Sequence, residues 1–197
     1  MKRSMKRFLT FLLTFILILP LLSSCTVTAG STANRVKMEF DGYGTIVIEL
    51  DRSVAPATCK NFADLVRTGF YDGLTIHRIA VMSTSKNNYI IQGGDPNGDG
   101  TGGSNHKIHG EFKNNGYTAN TLSHTRGVVS MARSSDYDSA SSQFFICVND
   151  CSELDGNYAA FGRVIEGLEV LDKIAAVKVN SNNKPVTPVI IKKASLC

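Results

Sequence analysis

At 197 residues the chain is long enough for one domain with a full hydrophobic core and too short for two comfortable ones. Its 43% hydrophobic and 19% charged content excludes a disordered chain. The net charge of +4 does not mark a nucleic-acid-binding face: Lys2, Arg3, Lys6 and Arg7 are four of the 21 basic residues, and the other 17 meet 17 acidic ones.

Those four charges open the chain, ahead of an apolar run from Phe8 to Leu22 and the tetrapeptide Leu22-Ser23-Ser24-Cys25. A basic head before an apolar segment of roughly 7–15 residues is a secretory signal, shorter than the ~20 residues of a membrane-spanning helix. A small-residue cleavage site ending in cysteine resembles the bacterial lipobox, in which Cys25 is acylated on sulfur and becomes the new N-terminus. Residues 1–24 then form a lipoprotein signal peptide, and residues 25–34 the lipidated cysteine and a flexible tether of small polar residues. Residues 35–197 form the folded domain, held at a membrane on the extracytoplasmic side through Cys25. An uncleaved anchor helix with an incidental cysteine is the alternative. Export permits disulfides, yet Cys59, Cys147, Cys151 and Cys197 do not have the spacing of a disulfide framework. Cys59 and Cys147 lie in apolar patterns typical of buried thiols.

From Val36 to Asp51 the pattern is a β-hairpin. Val36, Met38 and Phe40 alternate with polar residues, Asp41-Gly42-Tyr43-Gly44 turns, and Ile46, Ile48 and Leu50 alternate again. Pro56 opens a helix where its missing N–H costs little, Cys59, Phe62, Leu65 and Val66 recur at helical spacing, and Gly69 ends it. Short strands are predicted at Thr75–Ala80, Tyr89–Gln92, Val128–Ala132, Gln143–Val148 and Ala159–Val164. A second helix runs from about Glu166 to Val177, with Leu168, Leu171, Ile174 and Ala175 on one face, and Pro188–Lys193 is a closing strand. Between Asp95 and Asn120 there is little periodicity and much Gly and Asn, the signature of a long ordered loop. Two helices with many short strands point to a closed β-barrel covered by helices.

Several fragments imitate chemistry. Asp95-Pro96-Asn97-Gly98-Asp99-Gly100 matches the first half of a calcium loop, but the twelfth position is His106, not a bidentate glutamate. Gly98-x-Gly100-x-x-Gly103 fits a dinucleotide fingerprint with no helix following to hold a pyrophosphate. His106 and His109 lack a third metal ligand. No Gly-x-Ser-x-Gly elbow supports a Ser-His-Asp hydrolase. No metal and no cofactor is expected.

Four ordered stretches carry a specific resemblance. Thr75-Ile76-His77-Arg78-Ile79 resembles the strand bearing the catalytic arginine of the cyclophilins. Ile91-Gln92-Gly93-Gly94-Asp95-Pro96 with Gly100-Thr101-Gly102-Gly103, then Ser130-Met131-Ala132-Arg133 with Ser141-Ser142-Gln143-Phe144-Phe145-Ile146, and finally Leu154-Asp155-Gly156-Asn157-Tyr158-Ala159-Ala160-Phe161-Gly162-Arg163-Val164 are similar to that family's successive landmarks. The resemblance covers nearly the whole mature domain. It implies a mainly β protein, a closed eight-stranded antiparallel barrel capped by two α-helices, acting as a monomeric peptidyl-prolyl cis/trans isomerase on X-Pro segments of exported or unfolded proteins. By position Arg78 matches the catalytic arginine and Gln92 the side chain that helps hold it. Phe145, Leu154 and Tyr158 match the pocket for the proline ring, Tyr89 and Ile90 its neighbouring wall, and Ala132, Arg133 and Gln143 the peptide groove. His77 supports the site rather than performing chemistry. On residue type alone Phe145 and Leu154 read as core and Arg78 as a surface charge.

The chain departs from the family pattern at Ile79–Asn88, where typical members have a much shorter turn with Pro-Gly. Tyr89 stands for the usual phenylalanine and Ile90 for methionine. Glu153 replaces a tryptophan that many eukaryotic members use to bind cyclosporin, so weak affinity for that drug is expected. Two rival readings follow. One is a proline-peptide binding or chaperone module of low turnover. The other is a membrane-tethered small-ligand carrier, which the bulky inward residues Phe40, Ile48, Phe144 and Ile146 oppose by filling the barrel.

Overall fold

The computed structural model describes residues 34–81 and 89–197; the expected signal segment, Cys25 and most of the stretch before Tyr89 lie outside them. The hairpin forms as its alternation requires. Strand β1 (Arg35–Phe40) pairs antiparallel with β2 (Gly44–Leu50), with Val36 opposite Ile48 and Met38 opposite Ile46. Helix α1 (Pro56–Arg67) follows and ends where Gly69 takes φ 72°.

The predicted strand at Thr75–Ala80 is two strands, β3 (Thr75–Ile76) and β4 (Arg78–Val81), split at His77. β3 pairs with the last strand, β9 (Val189–Leu196), while β4 pairs with β5 (Tyr89–Gly93). With β6 (Val128–Met131), β7 (Phe144–Cys147) and β8 (Ala160–Glu166), the sheet order is β3-β9-β1-β2-β8-β6-β7-β5-β4. Its two edge strands are therefore joined through one residue, and the antiparallel barrel is nearly closed. Nine strands appear in place of the expected eight because a single chain segment serves both edges. Helix α2 (Leu168–Ala175) starts two residues later than its periodicity predicts. β8 continues through Glu166, and Gly167 turns the chain at φ 82°. A Cβ at that position would lie 2.2 Å from the Thr45 carbonyl oxygen.

Side chains alternate across each strand, so every second residue enters the barrel. Phe40, Ile48, Phe144 and Ile146 are all buried in one continuous core, which fills the interior. Helix α1 joins it through Phe62, whose ring lies 5.1 Å from Tyr71, 5.6 Å from Phe144 and 4.9 Å from Phe161. Helix α2 adds Val170, Leu171 and Ile174.

The start of α1 lacks a local cap, because Ala55 offers no side-chain acceptor. Glu111, in the long loop, fills that role. Its buried carboxylate accepts from the N–H of Ala57 (3.0 Å), the N–H of Thr58 (2.8 Å) and the Thr58 hydroxyl (2.6 Å). A carboxylate there answers both the orphan donors and the positive end of the helix dipole. Glu111→Ala should therefore cost about 3 kcal/mol in urea unfolding, the value of charged hydrogen bonds whose donors would stay buried.

The rest of the loop is ordered by its own polar groups. Asp95 is buried and accepts from the backbone N–H groups of Asn97, Asp99 and Gly100, so its oxygens turn inward, away from any cation in solvent. No helix follows Gly103. Among the described residues no group of three or more His, Cys, Asp or Glu is placed to hold a metal, and no helix is long and apolar enough to cross a membrane.

Candidate active site

Register assembles the site. On the outer barrel face Arg78 (β4) stands opposite Gln92 (β5), Gln92 opposite Phe145 (β7), and Phe145 opposite Ser130 (β6). Two residues along, Ala80, Ile90 and Cys147 make a parallel row. The residues between, Ile79, Ile91 and Ile146, belong to the core. The adjacent phenylalanines thus divide: Phe144 fills the barrel, and Phe145 joins a second apolar cluster with Ile90, Cys147, Cys151 and Leu154, against which Ala132 and Tyr158 pack.

A directed hydrogen-bond chain runs beside that cluster. Arg78 Nη1 donates to Gln92 Oε1 at 3.1 Å, Gln92 Nε2 to Gln143 Oε1 at 2.9 Å, and Gln143 Nε2 to the carbonyls of Gly100 (3.0 Å) and Gly102 (2.7 Å). Arginine has only donors, so Gln92 must turn its oxygen to Arg78 and its amide nitrogen away. The same logic then orients Gln143. The guanidinium is held by a relay anchored on backbone.

Cys25 lies outside the described residues, and the predicted groove residues divide into two groups. Arg78, Gln92 and Gln143 form the relay, and Phe145, Leu154, Tyr158, Ile90 and Ala132 form the apolar cluster. Ile90 is 1% exposed and belongs to that cluster. Tyr89 is 36% exposed at the start of β5, outside the cluster. Arg133 lies within 5.2 Å of the rings of Phe112, Tyr137 and Tyr158, and donates through Nε and Nη2 to the Asn157 carbonyl. A cavity of about 390 Å³ lies beside Gln92, Ala132, Arg133 and Gln143, and a second, of about 360 Å³, beside His77, Arg78 and Gln92. The relay sits between them.

Sequence reasoning missed a triplet behind Phe145, in which His124 and Ser130 are buried and Asp155 is exposed. His124 Nδ1 bonds Asp155 Oδ1 at 2.7 Å, His124 Nε2 bonds the Ser130 hydroxyl at 3.0 Å, and the imidazole stacks on Phe145 at 5.8 Å and 16°. The residue types are those of a hydrolase triad, but Ser130 is 0% exposed and meets no substrate. The triplet fixes the Phe145 ring instead. No local pattern could reveal it, because His124 and Asp155 are 31 residues apart.

Burial holds His124 below its ordinary value of 6.5, outweighing the pull of Asp155. Burial likewise lowers His77, with Arg78 and Lys184 adding to the effect against Asp95. Both imidazoles are neutral in the folded state and resist a proton that the unfolded chain accepts near pH 6.5. Their contribution is complete above that pH and is lost as pH falls below it. Melting the protein between pH 7.5 and 5 should show a falling midpoint, with a shallower fall in His77→Leu. Two thiols are held protonated: burial pushes Cys59 up to about 12, and hydrogen bonding to Cys151 together with burial raises Cys147, while the same hydrogen bond lowers Cys151.

The comparisons with known proteins agree with this fold. The sequence model of the family described as cyclophilin type peptidyl-prolyl cis-trans isomerase matches residues 35–196. The fission yeast Schizosaccharomyces pombe peptidyl-prolyl cis-trans isomerase ppi1 is 40% identical over 152 residues, 77% of this chain and 92% of that protein. The mouse peptidyl-prolyl cis-trans isomerase-like 1 is 38% identical over 158 residues, 77% of this chain and 86% of that protein. Among solved structures, a Cryptosporidium parvum cyclophilin type isomerase, crystallised in the presence of the dipeptide Ala-Pro, superposes with a TM-score of 0.72 at 32% identity, covering 83% of this chain and 98% of that one. Cyclophilin AquaCyp293 from Hirschia baltica gives 0.66 at 25% identity, with 83% and 74% covered. The nearly closed barrel, its outer-face arginine relay and these matches place the chain in the cyclophilin-type peptidyl-prolyl cis-trans isomerase family.

Proposed function

We propose that this isomerase acts on X-Pro segments of exported proteins at a membrane surface, and that Arg78 supplies the catalysis without covalent chemistry. The observation that carries the mechanism is the anchored relay from Arg78 through Gln92 and Gln143, set beside the Phe145 cluster. Rotation about a peptide bond faces a barrier of ~18–20 kcal/mol from amide resonance, and X-Pro bonds interconvert in tens to hundreds of seconds. In the twisted state the proline nitrogen regains its lone pair. A guanidinium stays charged and only donates, so Arg78 aimed at that nitrogen favours the twisted amide over both planar forms. Phe145, Leu154 and Tyr158 hold the ring while the preceding carbonyl swings. The Ala-Pro dipeptide present with the Cryptosporidium relative supports proline-containing ligands here.

The test is turnover of a short X-Pro peptide by a fragment starting at Thr26. Catalysis supports the assignment, and a folded but inactive fragment refutes it. The lipoprotein reading rests on Leu22-Ser23-Ser24-Cys25 behind the apolar run. Palmitate-analogue labelling of the full chain in a bacterial host should be strong for wild type and absent for Cys25→Ser, with the variant released from the membrane fraction. Equal labelling of both would exclude Cys25 as the acceptor.

A further inference from the structure

The cavity of about 390 Å³ beside the relay has a one-sided chemistry. Two of its lining residues, Lys107 and Arg133, are cations, and among the described residues that line it none is aspartate or glutamate. The carbonyls of Gly100 and Gly102 both take hydrogen bonds from Gln143 Nε2. Asp99, whose carboxylate holds the N–H (2.9 Å) and hydroxyl (2.6 Å) of Thr101, lines the neighbouring cavity. The walls also carry the hydroxyls of Ser134 and Ser141, which can donate, and Lys107 is exposed at the edge.

Arg133 is a fixed charge, not a mobile one. Its Nε and Nη2 donate to the Asn157 carbonyl (3.1 and 3.0 Å) and its Nη1 to the Ser134 carbonyl (2.9 Å), while the rings of Phe112, Tyr137 and Tyr158 surround its carbon at 5.2, 4.6 and 4.8 Å. A guanidinium has five N–H groups, so donors remain after these bonds, and no side-chain ordering is needed to present them. Neutral carbonyls accept those bonds, so the positive charge is not cancelled. Ala132 belongs both to this cavity and to the edge of the Phe145 cluster. The cavity and the Phe145 cluster therefore adjoin at Ala132, within reach of one short peptide.

We infer that this cavity is an anion subsite, which selects X-Pro segments carrying a carboxylate or phosphate side chain within a few residues of the proline. The inference rests on the isomerase reading above and adds a substrate class to it. Its test uses the full-length protein in detergent and a set of peptides that share one X-Pro bond. A single Glu, phosphoserine, Gln or Lys is moved through the three positions on either side. At one position kcat/KM should be about tenfold higher for Glu or phosphoserine than for Lys, with Gln between, and the advantage should shrink as salt rises from 50 to 500 mM. In Lys107→Glu the order should compress or invert, and because Lys107 is exposed its melting temperature should match wild type. Turnover of the Gln peptides with no preference among charges at any position would overturn the inference while leaving the isomerase assignment standing. Failure to turn over every peptide would overturn the isomerase assignment, and this inference with it.

Discussion

Arg78→Gln should lower kcat/KM for a short X-Pro peptide by about 100- to 1000-fold, the usual loss when a preorganised donor to a transition-state charge is removed. The unfolding midpoint should hardly move. Arg78 is only partly buried and projects from the outer face, so truncating it opens no hole in the barrel core. Glutamine keeps an N–H donor, on a shorter side chain, but not the charge, and it can turn either end of its amide towards Gln92. Two properties are lost together: the field that favours the twisted amide, and the directional logic that lets Gln92 orient Gln143. Gln143→Leu leaves Arg78 in place but cuts the relay from the Gly100 and Gly102 carbonyls, so its loss should be smaller than that of Arg78→Gln. Stopped-flow kinetics on both variants, with urea unfolding alongside, checks the order. Equal activity of wild type and Arg78→Gln would remove Arg78 from the mechanism.

The second large effect is expected at Phe145. Phe145→Ala should destabilise the domain by about 3–5 kcal/mol, the range for deleting a buried phenylalanine. The ring is 2% exposed, stacks on His124 and meets Tyr158 edge-on at 5.6 Å and 88°. Its loss leaves the imidazole without its stacking partner. Activity should fall independently of folding. A proline ring docked on Phe145 buries methylenes at ~0.8 kcal/mol each, so losing about 2 kcal/mol of this lowers kcat/KM on the order of 30-fold. Measured well below the melting temperature, the loss should appear mostly in KM. Phe145→Leu should retain more of both. A Phe145→Ala protein as stable as wild type would mean that the second cluster contributes little.

How much of this was legible in the sequence depended on the reach of each interaction. The hairpin and α1 could be read directly, because alternation at Val36, Met38 and Phe40 and helical recurrence at Cys59, Phe62 and Val66 are local patterns that packing reinforces. The split at His77 was not legible. Nothing in Thr75–Ala80 signals that its halves pair with opposite edges of the sheet, since that follows from closure. Glu111 escaped notice because Ala57, the first N–H it caps, lies 54 residues earlier, and capping rules look a few residues away. The His124–Ser130–Asp155 triplet escaped for the same reason. The outer-face row of Arg78, Gln92 and Phe145 was legible as a candidate site only through the family resemblance. Residue types alone assign Phe145 to the core, and the structure shows it buried, as that reading expects, yet on the outer face beside Arg78. The lipobox and the stretch before Tyr89 lie outside the described residues, and their roles rest on sequence.

The central claim is that the protein catalyses prolyl rotation and does not merely bind proline peptides. Exchange NMR of an X-Pro peptide with a small fraction of the protein tests it most directly. Cis–trans exchange cross-peaks should appear at substoichiometric protein with the cis and trans populations unchanged, because a catalyst lowers the barrier from both sides. Absence of exchange, with peptide signals that shift only as protein approaches equimolar, would contradict the account and identify a binding module.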